Sequence, residues 1–371
     1  MAFAIKMIAG AECPNGEELF LKTGVVIDTS VFRSGNSGIA SYKLPNSGVN
    51  EMRFTKADNL SIGGNNHVWG FAFRINDTTP PAATTIFSVF GSLTQIWIAY
   101  LETDGDLYLG DTDLTNNTTV TNPFTVDTWH YVEFYWSNTN GGTLLFFVDG
   151  VQKGSLVGNF SGTIERWRII NNNASNPSLI INIDDVYIAD GATSTTELLG
   201  SNFCVSKVYQ GDGLTTEGSA LNAGSWANTQ EFPGNDTNTA SYTGTPLSGG
   251  TTLTGGSRQG PNGDAALSGT RKCVLGVFRA KRGSGGGTTH KLRLGNNTDG
   301  MTDFTIAITT SFVNWWVLSE SESVAATFTE YGKMGMSVSG AQDIVMADMY
   351  YMLGYVKAAA SSDGNFFFAF Q

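Results

Sequence analysis

Trp129-His130-Tyr131-Val132-Glu133-Phe134-Tyr135-Trp136, followed after an Asn/Gly-rich stretch by Thr143-Leu144-Leu145-Phe146-Phe147-Val148-Asp149-Gly150-Val151, is the part of the chain that decides the fold. Successive side chains of an extended strand point to opposite sides. His130, Val132, Phe134 and Trp136 therefore share one face, and Tyr131, Glu133 and Tyr135 share the other. Asp149-Gly150 suits a two-residue type I′ turn, which needs positive φ at both central positions. The strand Thr143 to Val148 is thus expected to return directly as Val151 to Leu156. Alternation of this kind, punctuated by Gly, Asn and Asp, is the pattern of antiparallel strands with one face in a core.

The same grammar extends in both directions. Gly70 to Ile75, Thr85 to Phe90, Gln95 to Leu101, Asp106 to Leu109 and Ile181 to Ile188 read as further strands. From about Gly191 to Gly269 the chain turns polar and Gly-rich, and long loops are expected there. Strands resume at Lys272 to Ala280, which is apolar on both faces and so belongs in the middle of a sheet. His290 to Leu294, Phe304 to Ile308, Met334 to Val338 and Ile344 to Tyr351 follow. The last of these can be laid over Ile181 to Ile188, pairing Asp348 with Asp185 and Tyr350 with Tyr187. No amphipathic helix of useful length separates the strands, which disfavours a parallel α/β fold. At 371 residues the chain exceeds what one core usually supports. The expectation is all-β: two tandem antiparallel jelly-roll β-sandwiches, residues 1–195 and 196–371.

Charge excludes some functions. A formal net charge of −12 disfavours nucleic acid, whose affinity rests on Lys and Arg neutralising phosphates, and an anionic membrane as well. No apolar run approaches the roughly 18 residues of a membrane span. Met1 to Cys13 falls short of a secretory signal, so synthesis in the cytoplasm is expected. Cys13, Cys204 and Cys273 are far apart and lack metal spacing, and are read as reduced, mostly buried thiols.

The hairpin quoted above, with Trp129-His130-Tyr131-Val132 opening one strand and Asp149-Gly150 closing the next, resembles the central hairpin of concanavalin A-like and laminin G-like jelly rolls. The order of features along the chain is similar to that of the concanavalin A-like virion proteins of tailed bacteriophages. Met7-Ile8-Ala9-Gly10-Ala11-Glu12, Arg33-Ser34-Gly35-Asn36, the Trp-His hairpin and Ile183-Asp184-Asp185-Val186-Tyr187-Ile188 carry that resemblance in the first half. Gly211-Asp212-Gly213, Trp226, Glu231-Phe232-Pro233, Asp236 and Tyr242 carry it in the second. The pair Ala11-Glu12 and the pair Lys22-Thr23 depart from the family's pattern. The resemblance implies a structural protein of the virion surface, either a tail-associated adhesin or a head decoration, whose partners are other capsid or tail proteins and further copies of itself.

Several groups of residues are candidates for chemistry. His67, His130 and His290 are the only histidines, and His130 on the Val132/Phe134/Trp136 face reads as a packed strand histidine, not a triad member. Glycanases of this architecture place carboxylates at alternating strand positions, whereas Asp184 and Asp185 are adjacent; Glu133 from a neighbouring strand is the one conceivable partner for Asp185. Trp97, Tyr131 and Tyr135, with Asp185 beside them, form a candidate glycan platform, the alternative being that a loop buries them. Asp104, Asp106, Asp111 and Asp113 are hard oxygen ligands in turns and so a candidate Ca²⁺ site, or simply turn residues. Trp315, Trp316, Phe366, Phe367 and Phe368 are candidate subunit-interface residues, or members of strands buried on both faces.

No catalytic residue is assigned and no cofactor is required beyond that candidate Ca²⁺. The chain is expected to act by protein binding on a virion, with a host-surface glycan as a further candidate partner. The alternative is a carbohydrate-binding module or polysaccharide hydrolase of concanavalin A-like fold.

Overall fold

The computed structural model describes residues 3–10, 21–33, 40–45, 48–55, 64–91, 94–172, 178–210, 240–242, 257–258, 269–282, 289–296, 300–306, 308–319, 333–339 and 344–357. Within them the chain is all-β, made of antiparallel strands with one short 3-10 turn at Thr195–Glu197. No described helix is long and apolar enough to cross a membrane.

Two sheets account for the first half. The eight-stranded sheet runs β13 (Val151–Asn159), β12 (Asn140–Val148), β11 (His130–Ser137), β6 (Asn66–Ile75), β15 (Ile181–Asp190), β4 (Ser41–Leu44) and β3 (Val26–Asp28), and β1 (Ala4–Ala9) also pairs with β15. The seven-stranded sheet runs β10 (Asn117–Val120), β9 (Leu107–Asp111), β8 (Gln95–Leu101), β7 (Thr84–Phe90), β14 (Arg166–Asn172), β5 (Val49–Thr55) and β2 (Leu21–Thr23). Non-sequential neighbours such as β11-β6-β15 mark the long crossovers of a jelly-roll sandwich.

An aromatic core lies between these sheets. Phe134 of β11 approaches Trp97 of β8 at 4.6 Å, Phe146 of β12 at 5.0 Å and Phe87 of β7 at 5.5 Å between ring centroids. Trp69, Phe71 and Phe73 of β6 and Trp167 of β14 are fully buried in the same cluster. Each such ring contributes about 1.5–3 kcal/mol by leaving water. These are the inward positions of the alternating pattern, so the sequence's period of two is what builds the core.

The Asp149-Gly150 turn forms as the sequence predicts, with φ of 51° and 76°. Asp149 also pins the strand it returns from. Its carboxylate accepts the Tyr131 amide at 2.8 Å and the His130 Nδ1–H at 2.7 Å, while His130 Nε2 accepts the Thr125 amide at 3.0 Å. The donor from Thr125 fixes the proton on Nδ1, which makes His130 a brace for the hairpin and the preceding loop.

The second half contains a six-stranded sheet, β18 (Ser257–Arg258), β16 (Phe203–Gln210), β24 (Ile344–Lys357), β19 (Gly269–Arg282) and β22 (Val313–Ser319), with β17 (Ala240–Tyr242) on β24. A three-stranded sheet of β21 (Gly300–Ile306), β20 (Thr289–Asn296) and β23 (Lys333–Ser339) completes it. β19 lies between β24 and β22, as its two apolar faces require. Phe203, Val205, Cys273, Leu275, Val277 and Met352 join the same buried cluster as the first half's core. Apolar contact therefore runs continuously from one half into the other. Cys204 and Cys273 are buried free thiols, and Cys13 lies outside the described residues.

Candidate functional site

The outward face of β11 leads to the most elaborate polar arrangement among the described residues. Tyr131, Glu133 and Tyr135 leave the sheet on the side away from the aromatic core, as alternation demands, and meet the segment that begins the second half. Tyr131 is 1% exposed and Glu133 fully buried. The Tyr131 ring packs edge-on to Phe203 at 6.4 Å, and Tyr187 of β15 lies 5.0 Å from the same phenylalanine.

A glycine makes this geometry possible. Gly70 of β6 pairs with Glu133 on one side and Tyr187 on the other. A Cβ there would fall 2.1 Å from the Tyr187 ring, so the ring can lie across β6 only because no side chain rises from it. Tyr187 then donates its hydroxyl to Glu133 Oε1 at 2.5 Å. The same oxygen accepts the amides of Leu199 at 3.0 Å and Gly200 at 3.1 Å, while Oε2 has no partner. Burial pushes the Glu133 carboxyl above its ordinary pKa, against the three donors, which favour the anion. Burial likewise pushes the Tyr131 and Tyr187 hydroxyls well above theirs.

Asp185 sits at a register break in β15, between Asp184 and Tyr187, with φ at 48°. A bulge re-aims a side chain, and here it sends the carboxylate toward the second half. One oxygen accepts the Val205 amide at 2.8 Å and the other takes Arg33 Nη1 at 2.7 Å. Arg33 in turn donates to the Phe203 carbonyl at 2.8 Å and to the Ser201 carbonyl, and its guanidinium lies 5.2 Å from the Tyr131 ring centroid. Burial works to lower the Arg33 pKa, but the Asp185 charge and hydrogen bond outweigh it and the net shift is upward. Tyr131 completes the ring of contacts by donating to the Asp185 carbonyl at 3.1 Å. Glu133 of β11, Asp185 of β15 and Arg33 thus hold the main chain of residues 199–205, the last two through charge-assisted hydrogen bonds.

The glycan platform expected from Trp97, Tyr131, Tyr135 and Asp185 does not assemble. Trp97 belongs to the other sheet and is fully buried between the two. Tyr131 and Asp185 are sealed at the junction, and only Tyr135 keeps partial exposure. The loop that hides them is Leu198 to Val205, far from β11 in sequence. Nor do Glu133 and Asp185 face a groove as an acid and a nucleophile would.

The four aspartates of the candidate Ca²⁺ site are separated as well. Asp104 and Asp106 belong to the β8–β9 turn, and Asp111 and Asp113 to the opposite end of β9. Asp104 accepts the Asp106 amide, Asp106 the Asn122 amide and Asp113 the Thr115 amide. Asp111 is buried and accepts the Asn116 amide, the Asn116 side chain and the Asn159 amide. Each carboxylate satisfies its own turn, and no group of three metal-ligating side chains occurs among the described residues.

Trp315 and Trp316 are on β22, at the end of the six-stranded sheet's described order, and Trp315 is half-buried. Phe366, Phe367 and Phe368 lie outside the described residues. Arg33 and Phe203 escaped sequence reasoning as junction residues. Arg33 stood in a quoted motif, Arg33-Ser34-Gly35-Asn36, but only as a turn, and Phe203 had no signal at all.

By sequence, the chain matches no family model and no curated protein. Among solved structures it is similar to an endo-β-1,4-glucuronan lyase from the fungus Trichoderma reesei at 15% identity and a TM-score of 0.38, over 51% of this chain and 96% of that one. It is also similar to the binding domain of Paraclostridial Mosquitocidal Protein 1 at 14% identity and a TM-score of 0.39, over 52% of this chain and 50% of that one. A carbohydrate esterase from the Shiga toxin-encoding bacteriophage phi24B matches at 10% identity and a TM-score of 0.38, over 52% of this chain and all of that one. Likenesses of this size carry no argument about ligand or activity.

Proposed function

We propose that the chain is a binding and architectural protein of a tailed-phage particle, a tail-associated adhesin or head decoration that acts without catalysis. One observation carries the non-catalytic part. Glu133 and Asp185, the carboxylates a glycanase reading would need, are at most 1% exposed and are spent on amides and on Arg33 at the junction. A general acid must reach a leaving group and a nucleophile must reach a sugar carbon. Residues used in this way act by making two β-halves into one firm body that presents loops and sheet faces.

Placement on a phage particle rests on the order of sequence motifs, from Met7-Ile8-Ala9-Gly10 to Ile183-Asp184-Asp185-Val186-Tyr187-Ile188. Its partners would be capsid or tail proteins, with self-assembly through a second copy. The test is mass spectrometry of separated heads and tails from purified particles, followed by immunogold labelling. Signal in one particle fraction is the expected result and assigns head or tail. Protein found only free in the lysate overturns the placement.

A further inference from the structure

The seven-stranded sheet turns its second face away from the aromatic core, and that face differs in charge from the rest of this acidic chain. Phe87, Val89, Trp167 and Ile169 point into the core, so the alternate positions Ser88, Phe90, Arg166 and Arg168 lie outward. Arg53 pairs directly with Arg168 across β5 and β14. Two like charges in register repel, and Glu51 is placed to relieve them. It accepts Arg53 Nε at 2.6 Å and a two-pronged contact from Arg168 at 2.8 Å each. Burial works to raise the Glu51 pKa, yet the two arginines hold it below the ordinary value.

One carboxylate does not balance the group. Arg166 and Arg168 both stack on Phe90, at 5.1 and 5.3 Å from its centroid. Among the described residues Arg166 has no ion pair or side-chain hydrogen bond, and Arg53 uses only Nε. Each guanidinium offers five N–H donors, so most of these are unspent. In register with Arg168 the face continues through Ser88, Ile98 and Gly110, all of them buried, so the surface a ligand meets is made by the larger side chains on either side of that line. Tyr100 and Tyr108, both partly exposed and 5.9 Å apart, stand along one side of that line. From β5 to β9 the face spans four inter-strand steps, about 19 Å.

We propose that this outer face of the seven-stranded sheet binds a uronate-bearing polysaccharide. The proposal rests on the reading of the chain as a surface-binding protein and names the ligand class. Charge complementarity selects an anion, and Glu51 shows that the arginine forks here receive a carboxylate. Phe90, Tyr100 and Tyr108 supply the flat apolar surfaces on which pyranose C–H faces stack. Nucleic acid is disfavoured because the whole chain carries −12.

The experiment is affinity electrophoresis of the full chain in native gels containing alginate or polygalacturonate, with dextran as the neutral control and poly-glutamate as competitor. Retardation by a polyuronate and not by dextran is expected, weakening at least tenfold in Arg166→Gln, which removes no fold hydrogen bond. Tyr108→Ala, with folding checked by circular dichroism, is the second variant and should weaken it too. No retardation, retardation unchanged in both variants, or equal displacement by poly-glutamate overturns the proposal, the last in favour of an acidic protein partner. Particle-associated protein that ignores polyuronates sinks this inference alone; particle-free protein that binds them sinks only the virion placement.

Discussion

His67 and Glu133 are both buried and both pressed toward their uncharged forms, with opposite consequences for stability against pH. Burial lowers the His67 pKa to about 4 although the Asp190 charge works the other way, and neither ring nitrogen has a hydrogen-bond partner. The unfolded chain therefore binds a proton that the folded chain refuses between about pH 6.5 and 4. Stability from this group falls as pH falls through that window, by up to roughly 3 kcal/mol. His67→Phe, stacked like the imidazole on Trp136, should flatten the curve there, and urea midpoints at pH 4.5 and 7.5 for both proteins check it. Glu133 has the reverse sign. Its raised pKa means its contribution is complete below the unfolded value and is lost as pH rises through the folded one. Glu133→Gln should keep the fold and gain on the wild type as pH rises, read in the same urea series; a constant difference across pH would contradict the buried-acid assignment. The sequence shows which face Glu133 takes, since alternation along β11 dictates it. It does not show the cover, because Leu199 and Gly200 lie more than sixty residues away and leave no mark on the local pattern. Asp185 was less legible still: adjacency alone assigns it the face opposite Asp184, and the positive φ of the bulge is not encoded by residue type.

At the scale of a strand, β6 requires a glycine for a reason that differs in kind from the hairpin's. Gly70 is needed for space, since its Cβ would strike the Tyr187 ring. Gly150 is needed for conformation: its φ is 76° and nothing lies within 4 Å of the added Cβ. Gly150→Ala should then cost about 1 kcal/mol through backbone strain. Gly70→Ala should cost about 1–3 kcal/mol from overpacking, and more once Tyr187 loses its reach to Glu133. Thermal melting of the two variants separates them. Fluorescence of the buried tyrosine-tryptophan core should change for Gly70→Ala and stay as wild type for Gly150→Ala. The hairpin was readable because Asp-Gly names its own turn. Gly70 was readable only as a strand residue, since a close approach across a sheet depends on a partner more than a hundred residues downstream. The candidate aromatic platform failed for a related reason: period-two alternation assigns faces within a strand but does not say which sheet the strand joins, and Trp97 went to the other one.

For the whole molecule, the Arg33–Asp185 pair is expected to couple the melting of the two halves. Removing one partner of a buried ion pair costs about 3–5 kcal/mol, an upper bound here because the Arg33 side chain is 16% exposed, and the loss also releases the chain at Ser201 to Val205. Arg33→Ala should convert a single calorimetric transition into two and speed proteolysis within residues 193–202. The double variant Arg33→Ala/Asp185→Asn should be less damaging than the two single losses added, because the charges are coupled. If Arg33→Ala still melts in one step, the apolar contact of Phe203 and Val205 with the first half suffices and the ion pair is dispensable. The all-β architecture itself was legible throughout, from Gly-rich turns and alternating strands, because both are local. The register of β15 with β1 and β6, and the grip of β15 on β16, are long-range and needed the structure.

That long-range pairing also sets a timetable for synthesis. β1, residues Ala4–Ala9, finds its strand partner among the described residues in β15, where Ile8 is opposite Tyr187. The ribosome makes β1 before β15 and must add about 180 further residues before that partner exists, which at 5–20 residues per second is on the order of ten seconds or more. Through that interval Met7, Ile8 and Ala9, buried in the finished protein, have no strand to cover them. Over that interval β1 is open to pairing with a neighbouring chain's strand, so slowing translation should lower the soluble yield.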